Sequence, residues 1–141
     1  MDKYIQFLTD HYMLSGAWLA VAGILIYSFF SARLRGFSAI HPAMATQLIN
    51  RENALILDVR EDNEYREGHI VNSLHIPVGY LGDRMKELEK YKDRPIIVGC
   101  RSGQRSSQAC AMLKKQGFDA VYNLNGGIMA WKNDNLPLTK K

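Results

Sequence analysis

Cysteines and clustered basic residues are both scarce in this 141-residue chain. The two cysteines, Cys100 and Cys110, are better interpreted as free thiols than as a disulfide bridge, and a lone thiol with a chemical role requires a reducing compartment. The formal net charge is +4, yet basic residues are scattered and stand beside acids, as in Lys86-Glu87. The sequence therefore predicts no nucleic-acid partner. No internal repeat is present, which excludes a repeat architecture.

Charge is absent between Tyr12 and Ala32, where no Asp, Glu, Lys, Arg or His occurs. The nineteen residues from Leu14 to Ala32 would form a helix about 28 Å long, close to the roughly 30 Å of a bilayer core. Residues 12–32 are therefore predicted to form a retained transmembrane helix. Two alternatives stay open. A cleaved signal peptide is disfavoured by the Met1-Asp2-Lys3 start and the poor cleavage site, and a buried core helix by apolarity on all faces.

The charges that flank this segment predict its orientation. Arg33 and Arg35 follow the segment, whereas Lys3 alone precedes it. Because basic flanking residues stay in the cytoplasm, residues 1–11 are expected outside and residues 36–141 inside the cell. The sequence therefore predicts a single-pass protein of the cytoplasmic membrane.

Residues 36–141 are predicted to form one small domain in which strands alternate with helices. Short apolar runs indicate the strands, and amphipathic segments indicate the helices. This alternation is typical of an α/β fold with a parallel sheet, in which sites form at the carboxyl ends of the strands. The predicted strands are residues 54–59, 73–76, 95–99 and 120–124, and the predicted helices are residues 43–50, 62–66, 81–91 and 106–116 with a last one ending at Trp131.

The strongest candidate site is the loop Cys100–Ser106, with the sequence Cys-Arg-Ser-Gly-Gln-Arg-Ser. Cys100 follows a predicted strand, and a helix is expected to begin at Ser106 as the N-cap residue. Backbone N–H groups of the loop and of the helix N-terminus would converge on the sulfur, bind anions and lower the pKa of the thiol. Arg101 and Arg105 add positive charge. The pattern predicts a nucleophilic sulfur in an anion-binding loop.

Six ordered segments between about Ile40 and Leu138 carry a family resemblance. They are Leu57-Asp58-Val59-Arg60, Glu64-Tyr65, Gly68-His69-Ile70, Ser73–Pro77, Cys100–Ser106, and Gly126-Gly127-Ile128 with Ala130-Trp131 and Leu136-Pro137-Leu138. Together they resemble a single-domain rhodanese, a sulfurtransferase. With its N-terminal helix, the chain is similar to a small bacterial rhodanese anchored in the inner membrane. The resemblance implies a five-stranded parallel sheet flanked by helices.

The resemblance also implies a reaction. Rhodaneses take a sulfane sulfur from a donor such as thiosulfate onto a cysteine as a persulfide, and they pass it to a thiophilic acceptor. By position, Cys100 is the catalytic cysteine, and Asp58 and Arg60 are supporting residues, with Arg60 expected to pair with Glu64 or another acid. The loop residues implied to bind substrate are Arg101, Ser102, Gly103, Gln104, Arg105 and Ser106.

The partners and cofactors follow from the same resemblance. A small anionic sulfur donor and a thiol or protein acceptor are implied, with the membrane bound through residues 12–32 and a membrane-protein partner left open. No metal or organic cofactor is implied, because the persulfide forms on the cysteine itself. Cys110 is expected to be a buried, inert thiol rather than a resolving cysteine, and His69 is expected to be structural.

Two other functions remain as alternatives. Related phosphatases place five residues between cysteine and arginine, whereas four residues separate Cys100 from Arg105, which disfavours phosphatase and arsenate reductase activity. The domain could also be a binding module that recruits cytoplasmic proteins to a membrane complex. The intact Cys100 loop favours the enzyme, and the apolar segment keeps the binding module open.

Overall fold

The computed structural model describes residues 1–34 and 36–141, with side chains for residues 1–31 and 36–141. The chain divides into two compact units, residues 1–35 and 36–141. This division falls between the apolar segment and the segment in which strands and helices alternate. The side chain of Arg33 and the whole of Arg35, on which the predicted orientation depends, lie outside the described residues.

Two helices make up the described part of the first unit. Helix α1 covers Asp2–Asp10 and helix α2 covers Tyr12–Leu34, and the non-helical backbone of His11 (φ −122°, ψ 44°) separates them. The segment Tyr12–Ser31 has a mean hydropathy of 1.8, and none of it is buried. Within residues 1–34 and 36–141, it is the one helix whose length and composition suit a membrane span.

A five-stranded parallel sheet forms the centre of the second unit, as the family resemblance implied. Four of its strands were predicted from the residue pattern, and the strand Ser38–Ile40 was not. The strand order is β1-β5-β4-β2-β3, so β4 lies in the middle of the sheet. Asp58 of one central strand stands opposite Gly99 of its neighbour, which brings both carboxyl ends to the same edge. The strands are β1 (Ser38–Ile40), β2 (Leu55–Asp58), β3 (Leu74–His75), β4 (Ile96–Gly99) and β5 (Val121–Leu124).

The helices of this unit cover both faces of the sheet. Side chains of the central strands alternate between the two faces, so Leu55 and Leu57 contribute to one apolar cluster and Ile56 to the other. Residues of α5 complete the first cluster, and residues of α3 and α6 complete the second. The helices are α3 (Pro42–Glu52), α4 (Asp62–Glu67), α5 (Gln104–Lys115) and α6 (Gly127–Asn133).

One predicted α-helix was wrong. Residues 81–91 do not form a regular α-helix, because two short 3₁₀ helices cover Val78–Tyr80 and Met85–Tyr91 around a turn. Met85 and Leu88 are buried in the core, and Tyr91 packs against it. These three apolar residues recur every third position. That spacing matches the three residues per turn of a 3₁₀ helix and aligns their side chains on one face.

Candidate active site

The Cys100 sulfur lies between the central strand β4 and the N-terminus of α5. The Gly103 N–H donates to Sγ at 3.0 Å, and the Ser106 hydroxyl oxygen lies 3.4 Å from Sγ. The residue is only 1% exposed. Gly103 has a φ of +111°, in the left-handed region that favours glycine, and it is the residue from which α5 begins. The loop therefore turns its backbone donors toward the sulfur.

These contacts lower the pKa of the Cys100 thiol. Burial acts in the opposite direction and raises the pKa, because it disfavours the charged thiolate. A hydrogen bond between the sulfur and the Ser106 hydroxyl lowers it, as do the backbone N–H groups of Ser106, Gly103 and Ser102, and together they outweigh burial. The net result is a thiol that ionises more readily than an ordinary cysteine, in a site built to hold a negative charge.

The N-terminus of α6 fixes the first part of the loop. The Ile128 N–H donates to the Cys100 carbonyl at 2.8 Å, and the Met129 N–H donates to the Arg101 carbonyl at 3.2 Å. This close approach requires glycine at position 127, because a Cβ there would collide with both carbonyl oxygens and the φ is +60°. Sequence reasoning noted Gly127 within a family motif but did not connect it to the cysteine loop.

Ser106 is not the N-cap of a helix, so that prediction was wrong. Helix α5 begins two residues earlier, at Gln104, and its N-cap is Gly103. Ser106 is fully buried, and its hydroxyl donates to Asn123 Oδ1 at 2.5 Å. The helix begins earlier because the left-handed Gly103 completes the turn by itself and its carbonyl accepts from the Ser107 N–H. Ser106 thereby faces the sulfur rather than the helix end.

Asn123 is a site residue that sequence reasoning missed. It lies on β5, is 8% exposed, and donates through Nδ2 to the Gly103 carbonyl at 3.1 Å. The side chain thus links the loop to the neighbouring strand. A signal was available, because an asparagine within the otherwise apolar Val121–Leu124 segment is a buried polar group that needs partners.

The two loop arginines have different surroundings. Arg105 forms a bidentate ion pair with Glu64 of α4, with distances of 2.6 Å and 2.9 Å between its two terminal nitrogens and the two carboxylate oxygens. Its charge is therefore balanced. Arg101 is exposed, and its guanidinium has no hydrogen-bond or ion-pair partner within the part of the chain that the structure describes. Of the two, Arg101 is the one whose charge is available to a ligand.

Asp58 and Arg60 form a buried pair beside the loop. The Arg60 guanidinium donates to the Asp58 carboxylate, with Nη2–Oδ2 at 2.7 Å, and also to the Gly68 carbonyl at 2.8 Å. Arg60 therefore pairs with another acid rather than with Glu64, one of the two options expected. The pair links the end of β2 to Gly68 at the C-terminus of α4.

Cys110 and His69 stand apart from the sulfur chemistry. Cys110 is buried on α5, its Sγ lies 3.5 Å from the Tyr122 carbonyl, and burial raises the pKa of this thiol to about 12. His69 is buried, stacks on Tyr65 with ring centroids 3.7 Å apart, and donates through Nδ1 to the Tyr65 carbonyl at 2.9 Å. Both residues have the structural surroundings expected from the sequence.

A cavity of about 370 Å³ opens beside the loop. Arg101 and Lys132 bring positive charge to its wall, and Ile128 and Met129 of α6 add apolar surface. No group of three or more His, Cys, Asp or Glu side chains suited to a metal ion occurs among residues 1–34 and 36–141. Glu64 and Glu67 also line the cavity, so its wall carries charges of both signs.

Comparison with known proteins agrees with this geometry. Residues 41–134 match the Rhodanese-like domain family. The chain is 35% identical to Uncharacterized protein YibN of Escherichia coli over 99% of both chains. It is 41% identical to a Sulfurtransferase of Allochromatium vinosum, over 68% of this chain and 88% of that protein. It is 36% identical to Thiosulfate sulfurtransferase GlpE of Pseudoalteromonas translucida, over 68% of this chain and 90% of that protein.

A solved structure shares the fold of the second unit. The crystal structure of a rhodanese-related protein from Thermoplasma volcanium superposes with a TM-score of 0.68 and 31% identity. The match covers 74% of this chain and the whole of that one. The parallel sheet and its flanking helices are therefore a known arrangement.

Proposed function

The chain belongs to the rhodanese-like family, and from that premise we propose that it is a membrane-anchored sulfurtransferase acting through a persulfide on Cys100. The observation that carries the proposal is the position of the Cys100 sulfur, 3.0 Å from the Gly103 N–H at the N-terminus of α5. A loop of this kind stabilises a sulfur anion by converging donors. The family and its sulfurtransferase relatives support the general activity, and the contacts of the loop support the finer mechanism.

The first half-reaction loads the cysteine. With thiosulfate as donor, the Cys100 thiolate attacks the outer sulfur of thiosulfate, an S–S bond forms, and the bond between that sulfur and the sulfite group breaks. Sulfite leaves with the electron pair, and the negative charge remains on the terminal sulfur of the new persulfide. The lowered pKa of Cys100 supports this step, because the thiolate rather than the thiol is the nucleophile.

The second half-reaction transfers the sulfur from the Cys100 persulfide to an acceptor. A thiophilic acceptor such as cyanide or a thiolate attacks the terminal sulfur, the new bond to the acceptor forms, and the Cys100 thiolate is regenerated as the leaving group. The backbone donors that face the thiolate, including the Gly103 N–H, are positioned to stabilise the persulfide anion between the two steps. No external oxidant or reductant is needed, since sulfur moves from one nucleophile to another.

Substrate approach depends on the unpaired charge of Arg101. An anionic donor is attracted by Arg101, whereas Arg105 is neutralised by Glu64 and serves to hold α4 against α5. Arg101 is the loop residue that lines the neighbouring cavity, whose volume of about 370 Å³ has room for a donor larger than thiosulfate. We therefore assign Arg101 to substrate binding and Arg105 to support of the loop.

The N-terminal helix supports a membrane location. Helix α2 is long and apolar enough to span a bilayer, and the similarity to the Escherichia coli relative extends over 99% of both chains. Arg33 and Arg35 on one side and Lys3 on the other favour a cytoplasmic domain at the bacterial inner membrane. The same helix favours a second function, in which the domain recruits cytoplasmic proteins to the membrane.

One experiment tests the proposal. The full-length chain in detergent is incubated with thiosulfate and cyanide, thiocyanate is measured, and the protein is weighed by mass spectrometry after thiosulfate alone. The wild type is expected to form thiocyanate and to gain one sulfur atom, and Cys100→Ser is expected to do neither. Cys110→Ala is the matched control, because Cys110 is a buried thiol outside the loop, and it should retain both.

Contrary results would be clear. If the folded wild type gains no sulfur from thiosulfate, thiosulfate is not the donor. If Cys100→Ser still forms thiocyanate, Cys100 is not the nucleophile. If Cys100→Ser removes sulfur transfer but leaves any protein recruitment to the membrane intact, the two functions are separate.

A further inference from the structure

The Ser106 hydroxyl has one proton and two neighbours that can accept it. Asn123 Oδ1 lies 2.5 Å from the hydroxyl oxygen, and the Cys100 sulfur lies 3.4 Å from it. A hydroxyl has a single O–H donor, so it can donate to only one of the two at a time. The shorter contact shows that in this structure the proton points to Asn123.

The orientation of the Asn123 amide is fixed by its other contact. Nδ2 donates to the Gly103 carbonyl at 3.1 Å. Turning the amide over would place Oδ1 against that carbonyl, and two acceptors would then face each other. Oδ1 must therefore face Ser106, and because Oδ1 can only accept, Ser106 must donate to it.

The orientation of the Ser106 hydroxyl favours the neutral thiol, whereas the backbone N–H groups of the loop favour the thiolate. With its own proton directed to Asn123, the Ser106 oxygen is free to accept the S–H of Cys100. When Cys100 ionises and its proton passes to solvent, the sulfur needs a donor, so the hydroxyl has to turn toward it and leave Asn123 Oδ1 without its partner. Asn123 is 8% exposed and Ser106 fully buried, so the lost bond is not readily replaced by water.

We propose that Asn123 is a positioning residue that holds the Ser106 hydroxyl proton away from Cys100 and thereby restrains formation of the thiolate. Asn123 competes with the sulfur for the one proton of the Ser106 hydroxyl. The thiolate gains a hydrogen bond from Ser106 only when the hydroxyl turns away from Asn123. The inference rests on the proposed function for its catalytic meaning, but its physical content is the ionisation of Cys100 alone.

Charged groups near the sulfur have separate roles. Arg101 is exposed, Arg105 is paired with Glu64, and the buried Asp58–Arg60 pair lies at the end of the neighbouring strand. Cys110, on the same helix as Ser106, interacts electrostatically with Cys100 and has its pKa raised to about 12. None of these groups contacts the Ser106 hydroxyl, so a change at Asn123 leaves their charges in place.

The test measures the pH dependence of Cys100 alkylation in the full-length chain in detergent. Iodoacetamide reacts with the thiolate, forming an S–C bond and releasing iodide, and peptide mass spectrometry separates Cys100 from Cys110. Four chains are compared: wild type, Asn123→Val, Ser106→Ala and the double variant. Valine cannot accept a hydrogen bond, suits a strand, and leaves the Gly103 carbonyl with its second partner, the Ser107 N–H at 3.2 Å.

The expected result is a dependence of one residue on the other. Asn123→Val should lower the alkylation midpoint by about one pH unit, because Ser106 then donates to the thiolate without competition. In the Ser106→Ala background the same change should leave the midpoint unmoved. An unchanged or raised midpoint in Asn123→Val, or an equal shift in both backgrounds, would overturn the proposal, since a merely structural residue acts without Ser106.

A second measurement needs no substitution at Asn123. The side-chain carbonyl carbon of Asn123 is followed by NMR as pH is raised, in wild type and in Ser106→Ala. Its chemical shift should change with the same midpoint as Cys100 alkylation in the wild type and stay constant in Ser106→Ala. If the Asn123 chemical shift of the wild type does not change as Cys100 ionises, the proposal is overturned. Both readouts are independent of sulfur transfer, so they hold or fail separately from the proposed function.

Discussion

Glu64 of α4 and Arg105 of α5 join the two helices beside the cysteine loop through a bidentate ion pair. Glu64 Oε1 also accepts the Glu61 N–H at 3.2 Å, so the same carboxylate caps its own helix and holds the neighbouring one. The Arg105 guanidinium, by hydrogen bonding and charge, lowers the pKa of Glu64 from 4.5 to about 2. The family motif Glu64-Tyr65 is thus connected to the site through a salt bridge rather than through substrate.

This pair predicts an acid-sensitive contribution to stability. Because the folded pKa of Glu64 lies below its usual value, the contribution is present above pH 4.5 and is lost as pH falls toward 2. Both side chains are partly exposed, so we expect Glu64→Gln to remove only about 1 kcal/mol of this dependence. Urea unfolding at a series of pH values from neutral to acid measures it. Glu52→Gln changes an exposed residue at the end of α3 that forms no ion pair in the described part of the chain, and it should keep the wild-type dependence in that range.

Arg101 is expected to act on substrate binding. Arg101→Ala should raise the KM for thiosulfate about tenfold, equivalent to about 1.4 kcal/mol, with a smaller change in kcat, because its unpaired charge attracts the donor. Added salt should raise the KM of the wild type for thiosulfate more than it raises the KM of the variant. Arg51→Ala, an exposed arginine at the end of α3, provides the control. An equal KM for the two variants would remove Arg101 from the binding site.

The two thiols are expected to differ in reactivity. Because the pKa of Cys100 is lowered and that of Cys110 is raised to about 12, iodoacetamide at neutral pH should modify Cys100 alone in the native chain. Both should react after denaturation. Site-resolved mass spectrometry distinguishes the two. Prior reaction with thiosulfate should move the alkylation to the terminal sulfur of the persulfide, so the modified Cys100 peptide should gain the mass of one additional sulfur atom. Equal rates in the native chain would contradict the described environments.

Gly127 is expected to be intolerant of a side chain. Gly127→Ala places a Cβ against the Cys100 and Arg101 carbonyls at a positive φ, so we expect a loss of about 2 kcal/mol or more in unfolding free energy and a larger loss of sulfur transfer. Gly79→Ala is the matched control, because nothing lies within 4 Å of a Cβ there. It should change stability by about 0.5 kcal/mol or less. Similar losses in both variants would show that contact with the loop is not the cause.

Four of the five strands could be predicted from the sequence because they are short, mostly apolar runs between clear breaks, whereas the three-residue edge strand Ser38–Ile40 gives too short a pattern. Residues 54–59 and 95–99 are buried on both faces, which leaves little ambiguity in the pattern. The segment 81–91 was different, since its apolar side chains identify an inward face for an α-helix or a 3₁₀ helix alike. Packing against the core selects the tighter backbone there.

The candidate site was predictable only where its residues are adjacent in sequence. Cys100, Gly103 and the two arginines identify the loop within one short segment. The asparagine in the apolar strand Val121–Leu124 indicates a buried polar group, but the sequence does not indicate which distant residue it contacts. Asn123 and Glu64 lie 17 and 41 residues from the side chains they bind. Charge alone gave Arg101 and Arg105 the same role, and only the three-dimensional position of Glu64 distinguishes them.

The hydrogen bonds that β5 and α6 make to the cysteine loop can form only late in the synthesis of the domain. Asn123, Ile128 and Met129 all leave the ribosome after Cys100, so a nascent chain that ends at α5 carries the sulfur without these supports. Strand β5 also lies between β1 and β4, and the sheet cannot close before it arrives. A chain truncated before residue 120 would expose an unfinished thiol loop. The complete set of contacts around Cys100 therefore forms only after residues 123–129 have been synthesised.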